Sequence, residues 1–197
     1  MTLILASGSA SRRAMLDAAG VDYVVMPAHV DEGAIKADLL AKGAPPSNIA
    51  GALAAAKALS VAQEQPGSWV LGGDSVVHVG GKIFDKPVSK DDAAAHLRAF
   101  SGKTITLLSA AVLAKDGRVV ESVVDEAKLS VRALSESFIA DYLAAEWPAV
   151  AGCVGCFRME ARGVQLFEAV EGNHFTILGM PLLWVLAALR RAKAIAL

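Results

Sequence analysis

Short apolar runs alternate along this chain with longer stretches whose apolar residues recur at helical spacing, and small or turn-forming residues separate the two. Leu3-Ile4-Leu5-Ala6 is one such run; Ser7-Gly8-Ser9-Ala10-Ser11 follows as a turn-prone loop leading to Met15, Leu16 and Ala19 before Gly20. The order predicts strand, loop and helix, with Gly20 as the helix stop. A second strand is expected at Tyr23-Val24-Val25, after which Pro27 opens an irregular stretch holding His29, Asp31 and Glu32. Pro45-Pro46-Ser47 sets up an alanine-rich helix of about 15 residues with Ser47 as N-cap. On it Ile49, Leu53, Ala56 and Ser60 share a face, and Lys57 falls at the edge of that stripe, which directs the lysine along the surface.

Trp69-Val70-Leu71 reads as a strand ending at Gly72-Gly73-Asp74, and Val76 to Val79 continues as strand up to the hairpin signal Gly80-Gly81 before Lys82-Ile83-Phe84. Ser89 to Asp92 has the spacing of a capping box for a helix running to Phe100. Thr104 to Leu113 and Arg118 to Val131 are strand-rich and meet at Lys115-Asp116-Gly117, a second hairpin signal. Ser135 caps a helix ending near Glu146; Cys153 to Met159 and Val164 to Val170 read as strands; Pro181 opens the last helix. Crossover and hairpin connections occurring together predict an α/β fold on a mixed sheet flanked by helices, as a single domain over residues 1–197, with no repeat or linker to divide it.

Composition narrows the partners. Nineteen Lys and Arg against twenty Asp and Glu give a net charge of −1, so bulk electrostatics favour neither duplex nucleic acid nor an anionic membrane, and affinity for anions must come from local placement. Two cysteines make no secreted disulfide framework, and the N-terminal apolar run precedes its first positive charges, the reverse of a signal peptide; a cytoplasmic protein is expected. The longest uncharged run, Phe175 to Leu189, is shorter than the roughly 20 residues of a membrane span and is broken by Gly179 and Pro181.

Arg12 and Arg13 fall in the first turn of a helix, where the macrodipole disfavours cations, and Ser7 to Ser11 offers hydroxyls and amides at the same helix N-terminus. A phosphate cradle meets both facts, and so do arginines paired with nearby carboxylates or projecting into water. Asp74 after two glycines can reach a cleft as a metal ligand or general base, or belong to an ordinary turn. Asp31-Glu32 can hold a hard cation or be solvated, and Lys57 and Lys86 are phosphate ligands or surface lysines. Cys153-x-x-Cys156 lacks the second pair of a zinc site, so ordinary strand cysteines are expected. His29, His78, His96 and His174 are scattered and receive no catalytic role, and without G-x-S-x-G a serine hydrolase is not indicated.

Taken in order, Leu5-Ala6-Ser7-Gly8-Ser9-Ala10-Ser11-Arg12-Arg13, Asp31-Glu32, Ala56-Lys57-Ala58, Gly72-Gly73-Asp74-Ser75-Val76-Val77 and Asp85-Lys86-Pro87 closely resemble the Maf family of nucleoside triphosphate pyrophosphatases. The match continues through Phe100-Ser101-Gly102-Lys103, Glu160-Ala161-Arg162-Gly163 and residues 171–182. The resemblance implies a Maf/ITPase-like fold with a curved mixed sheet and a deep cleft, a homodimer, and Mg²⁺- or Mn²⁺-dependent hydrolysis of a nucleoside triphosphate to monophosphate and pyrophosphate. It implies that Ser7, Arg12 and Arg13 hold phosphates, that Glu32 and Asp74 manage metal and water with Asp74 as proton acceptor, and that Lys57 and Lys86 neutralise the triphosphate. Many members carry Gln at the place of Glu160; a carboxylate only accepts hydrogen bonds, which suits the N1–H and N2–H edge of guanine, although the pair Asp74-Ser75 departs from the branch resembling 7-methyl-GTP pyrophosphatases. The family's association with septum formation supplies the other reading, a nucleotide-binding regulator of cell division with incidental turnover.

Overall fold

The computed structural model describes residues 2–195. Its elements are β1 (Leu3–Leu5), α1 (Ala10–Ala18), β2 (Val24–Val25), α2 (Glu32–Ala41), α3 (Pro46–Glu64), β3 (Trp69–Val79), β4 (Lys82–Phe84), α4 (Lys90–Phe100), β5 (Thr104–Lys115), β6 (Arg118–Val131), α5 (Glu136–Glu146), β7 (Phe167–Glu171), α6 (His174–Ile177) and α7 (Leu182–Arg191). The strands follow the order β2-β1-β3-β5-β6-β7, with β4 paired off β3. β1 runs parallel to β2 and β3, whereas β3/β4 and β6/β7 are antiparallel, so the expected mixed sheet with helices is present.

Two compact units divide the chain. One comprises residues 2–75, 108–125 and 179–195, the other 76–107 and 126–178, and the long strands β3, β5 and β6 contribute to both. In the first, Leu5, Leu16, Ile49, Leu71, Leu113 and Leu189 are among the fully buried side chains. In the second, Phe100 packs edge-on against Phe84 at 4.7 Å, amid Leu97, Ile105, Leu129, Ile139 and Leu143. The caps at Ser89 and Ser135 form as expected. Each hydroxyl accepts the amide three residues on, and Asp92 returns a bond to the Val88 amide.

Several expectations are corrected. Gly72-Gly73-Asp74 does not end a strand, because β3 runs unbroken over 11 residues. The glycines are required by crowding: a Cβ on Gly72 would lie 2.4 Å from the Ala54 carbonyl oxygen of α3, and one on Gly73 would lie 3.1 Å from Arg12 Nε. Asp31 and Glu32 are not in an irregular stretch; Asp31 caps α2 by accepting the Ala34 amide, and Glu32 is the helix's first residue. α3 begins earlier than expected, with Pro45 at the N-cap and Pro46 at N1, so Ser47 is not the cap. Cys153 to Met159 forms no strand, and 162–166 is a 3₁₀ turn ahead of β7. There the Cys156 amide bonds the Cys153 carbonyl in a tight turn with Gly155 at φ +83, and a Cβ on Gly163 would lie 2.4 Å from the Arg158 carbonyl. The apolar C-terminal run is split into α6 and α7 at Gly179, and among the described residues no helix is long and apolar enough to cross a membrane.

Two measurements follow from this packing. Gly72→Ala forces α3 away from β3 and lowers stability by about 3 kcal/mol, whereas Gly152→Ala, with nothing within 4 Å of its added carbon, stays within about 0.5 kcal/mol; urea midpoints distinguish them. Burial raises the Tyr142 phenol and the Cys153 thiol and pushes the Cys156 thiol up to about 12. Above pH 9 the unfolded thiols ionise first, so the native state holds more protons and stability falls as pH rises toward 12, by at most about 1.4 kcal/mol per pH unit for each group. Cys156→Ala flattens that alkaline slope in urea titrations between pH 7 and 10.5 and leaves the slope below pH 8 unchanged.

Candidate active site

The pairing of β1 with β3 stops at Leu5 opposite Leu71, where the Ala6 amide makes a last bond to the Leu71 carbonyl. Beyond that point β3 continues without β1 beside it, and the chain turns through Ser7 and Ser9 into α1. Ligand sites in open sheets sit outside the carboxyl ends of strands for this reason: the loop and helix N-terminus have room to face something other than sheet. Ser9 is the N-cap of α1, and its hydroxyl also meets that of Ser11 at 3.0 Å.

Arg12, one turn into α1, is 8% exposed and fills the space beside Gly73. Its Nε donates to the Gly179 carbonyl at 2.9 Å, one terminal nitrogen to Ser7 Oγ at 3.1 Å and the other to Ser75 Oγ at 3.0 Å. Ser75 lies 3.1 Å from the hydroxyl of fully buried Ser109 and also donates to Gly179 at 3.3 Å. Every one of these acceptors is neutral. Burial lowers the guanidinium pKa, and the fields of Asp74 and then Glu32 oppose the shift. A guanidinium has five N–H donors, so this one is oriented by three neutral oxygens with donors to spare, and among the described residues no carboxylate neutralises it by contact.

Because side chains alternate along a strand, Asp74 points to the opposite face of β3 from Ser75, toward α3, as Gly72 does. There Lys57 Nζ lies 2.6 Å from Asp74 Oδ1 and 2.9 Å from Glu32 Oε1. The side chains of Lys57 and Asp74 are each 12% exposed and that of Glu32 is 50% exposed. Lys57 is therefore not the surface lysine that its helix position suggested. One ammonium between two carboxylates leaves an excess negative charge, which the nearby Arg12 feels.

Among the described residues no cluster of three His, Cys, Asp or Glu side chains forms a metal cage. The two carboxylates are nevertheless hard oxygen donors converging on one cation, and Mg²⁺ is usually held by one or two carboxylates with substrate phosphates and water completing the shell. The donor set fits such an ion in company with a phosphorylated substrate.

The structure thus gathers Ser7, Arg12, Glu32, Lys57 and Asp74. Arg13 stands apart on α1: it is exposed and lines a shallow surface depression of about 500 Å³ with Asp17, Asp22 and Tyr23. Lys86 and Glu160 belong to the second unit. Burial raises the pKa of the Cys153 thiol, and the charges of Glu160 (raising it), Arg158 and Lys86 (lowering it) act on that thiol in turn. Arg158 is fixed by Glu146, itself 5% exposed, through bonds of 3.1 and 2.8 Å to one carboxylate oxygen. Sequence reasoning did not single out Ser109, the Gly179 carbonyl, Arg158 or Glu146. Ser109 carried a signal, being the polar interruption of the apolar run Leu107 to Leu113.

A 49% identical relative, a nucleoside triphosphate pyrophosphatase of Sphingopyxis alaskensis, aligns over 96% of this chain and 96% of its own. A 7-methyl-GTP pyrophosphatase of Mesorhizobium japonicum is 45% identical over 98% of this chain and 97% of its own. Among solved structures, a HAM1 protein from Coxiella burnetii matches 66% of this chain and 73% of its own with a TM-score of 0.46 and 13% identity. The model of the Maf-like protein family matches residues 2–192, nearly the whole chain. A family model that spans nearly the whole chain and a relative 49% identical over almost its full length together show that this chain belongs to the Maf-like protein family.

Proposed function

We propose that the protein hydrolyses a nucleoside triphosphate to the monophosphate and pyrophosphate by attack of water at the α-phosphorus. The observation that carries this reading is Lys57 held between Asp74 and Glu32 beside an Arg12 whose hydrogen-bond acceptors among the described residues are all neutral. A polyphosphate suits such a set: it brings negative charge to Arg12 and Lys57 and oxygen ligands to a cation shared with the carboxylate pair. The names of the relatives point the same way.

In this mechanism Ser7 and Arg12 hold phosphate oxygens at the N-terminus of α1, with Arg13 available from the solvent side, and Lys57 and Lys86 balance the charge of the leaving pyrophosphate. Asp74 accepts the proton of the attacking water at a carboxylate oxygen, with Glu32 orienting that water. Asp74 and Glu32 also hold a divalent cation, Mg²⁺ or Mn²⁺, which supplies charge neutralisation to the triphosphate and acidity to water. Ser75 and Ser109 keep the guanidinium in place, so that it need not reorganise as charge shifts to the leaving group. Glu160 accepts from the N1–H and N2–H edge of a guanine, consistent with the 7-methyl-GTP relatives. We read the whole chain as one catalytic domain acting as a pair of copies, and the two free thiols fit a reducing cytoplasm.

Incubation with Mg²⁺ and a panel of UTP, dTTP, CTP, 5-methyl-UTP, GTP and 7-methyl-GTP should release pyrophosphate and monophosphate. Release of orthophosphate alone, or no release from any substrate, refutes the reading. Asp74→Asn should lower kcat by about 10² to 10⁴ while nucleotide binding persists, and chelation of divalent ions should abolish turnover without unfolding the protein. Glu160→Gln exchanges an acceptor for a group that also donates, and should move kcat/KM from guanine toward uracil and thymine nucleotides by about 10-fold or more. Unchanged ratios across the panel place base recognition elsewhere.

A further inference from the structure

The expectation of ordinary strand cysteines at Cys153 and Cys156 falls with the strand itself, and the turn that replaces the strand brings the two residues together. The Cys156 amide donates to the Cys153 carbonyl at 3.2 Å, closing a four-residue turn with Gly155 at φ +83. A turn of this kind holds its end Cα atoms within about 7 Å, and a disulfide spans Cα separations of roughly 4.4 to 6.8 Å. Both thiols are free. They differ in access: Cys153 is partly exposed, whereas Cys156 is fully buried.

We propose that Cys153 and Cys156 are a redox-active dithiol that closes to an intrachain disulfide by exchange with a small organic disulfide such as glutathione disulfide. The step is two successive exchanges. The Cys153 thiolate attacks one sulfur of the small disulfide, which forms a mixed disulfide and releases one small thiolate; that thiolate takes up the proton that Cys153 lost. Cys156 then passes its proton to His96 and attacks the Cys153 sulfur, and the second small thiolate leaves and collects that proton. Two protein thiols are oxidised, and one small disulfide is reduced to two thiols.

Placement divides the labour between the two. Attack on an external disulfide needs access, which Cys153 has and Cys156 lacks, whereas the internal step needs none. Cys156 is instead held in place. Its carbonyl accepts from the Tyr142 hydroxyl at 3.0 Å, and its φ of +58 is a torsion that few residues other than glycine adopt. Its sulfur lies 3.4 Å from His96 Nδ1. The Asp92 carboxylate, 3.6 Å from Nε2 of the same ring, favours the ring proton at Nε2 and leaves Nδ1 to accept from the thiol. Burial favours the protonated form of both thiols; Glu160 and Glu146 add to that effect at Cys153 and Asp92 at Cys156, while Arg158 and Lys86 oppose it at Cys153. A base beside Cys156 is therefore what the second exchange requires.

Timed incubation of the reduced full chain with glutathione disulfide, followed by acid quenching, alkylation and mass spectrometry, reads every species. The unaltered chain should lose two hydrogens and both alkylation sites, show no disulfide between chains on a non-reducing gel, and recover both thiols with dithiothreitol. Cys156→Ser should stop with one glutathione on Cys153, and Cys153→Ser should react at least about 10-fold more slowly, since its remaining thiol is buried. His96→Gln should form the mixed disulfide at an unchanged rate and close it about 10-fold or more slowly. Far-ultraviolet circular dichroism confirms that each variant is folded. A mixed disulfide that persists on the unaltered chain, a disulfide only between chains, equal reaction of Cys153→Ser and Cys156→Ser, or two thiols that stay free throughout overturns the proposal, and closure at an unchanged rate in His96→Gln overturns the part given to the histidine. The proposal rests on no catalytic reading, and pyrophosphate release plays no part in its test.

Discussion

Desolvation of one guanidinium governs the first unit of this protein. An arginine that is 8% exposed cannot be held by water, and here three neutral oxygens from separate stretches of chain replace it: Ser7 at the end of β1, Ser75 on β3 and the carbonyl of Gly179. Each bond fixes the geometry without cancelling the charge. The compensation that would normally come from a carboxylate in contact is supplied at a distance by Asp74 and Glu32, which are themselves bridged by Lys57. The arrangement keeps a cation and a carboxylate pair close while preventing their collapse into a direct ion pair.

Strand geometry makes that separation possible. Asp74 and Ser75 are neighbours in sequence, yet alternation sends one toward α3 and the other toward α1. The two preceding glycines let helix and arginine approach the same stretch of β3: Gly72 leaves room for the backbone of α3, and Gly73 for Arg12 itself. Four consecutive residues therefore set the distance between the acidic and basic groups, and the pairing of β1 with β3 ends at Leu71, just before them.

Much of this was legible in the residues. Hairpins at Gly80-Gly81 and Asp116-Gly117 and the caps at Ser89 and Ser135 lie where local chemistry placed them, because turns and caps depend on a few adjacent side chains. The glycines of β3 misled for the opposite reason: their role is set by a helix distant in sequence, and only tertiary crowding separates a turn glycine from one that admits a neighbour. The second unit was misread around Cys153 to Leu166, where apolar residues at alternating positions resemble a strand but positive φ at Gly155 and Cys156 imposes turns. For the site, the ordered motifs supplied the charged residues, whereas the Gly179 carbonyl has no side chain to signal it and emerges only from its contact with Arg12, and Ser109 showed only as a polar break in an apolar run.

The Gly179 anchor behaves differently from the two serines. A hydroxyl is removed by one substitution, but a peptide oxygen persists whatever side chain occupies its residue. At φ +102, a torsion that L side chains rarely adopt, position 179 nonetheless depends on glycine to aim that oxygen at Arg12. The hold of the C-terminal segment on the guanidinium is thus sensitive to backbone rotation rather than to loss of a functional group, and any change that twists the join between α6 and α7 is felt first as a loosened arginine.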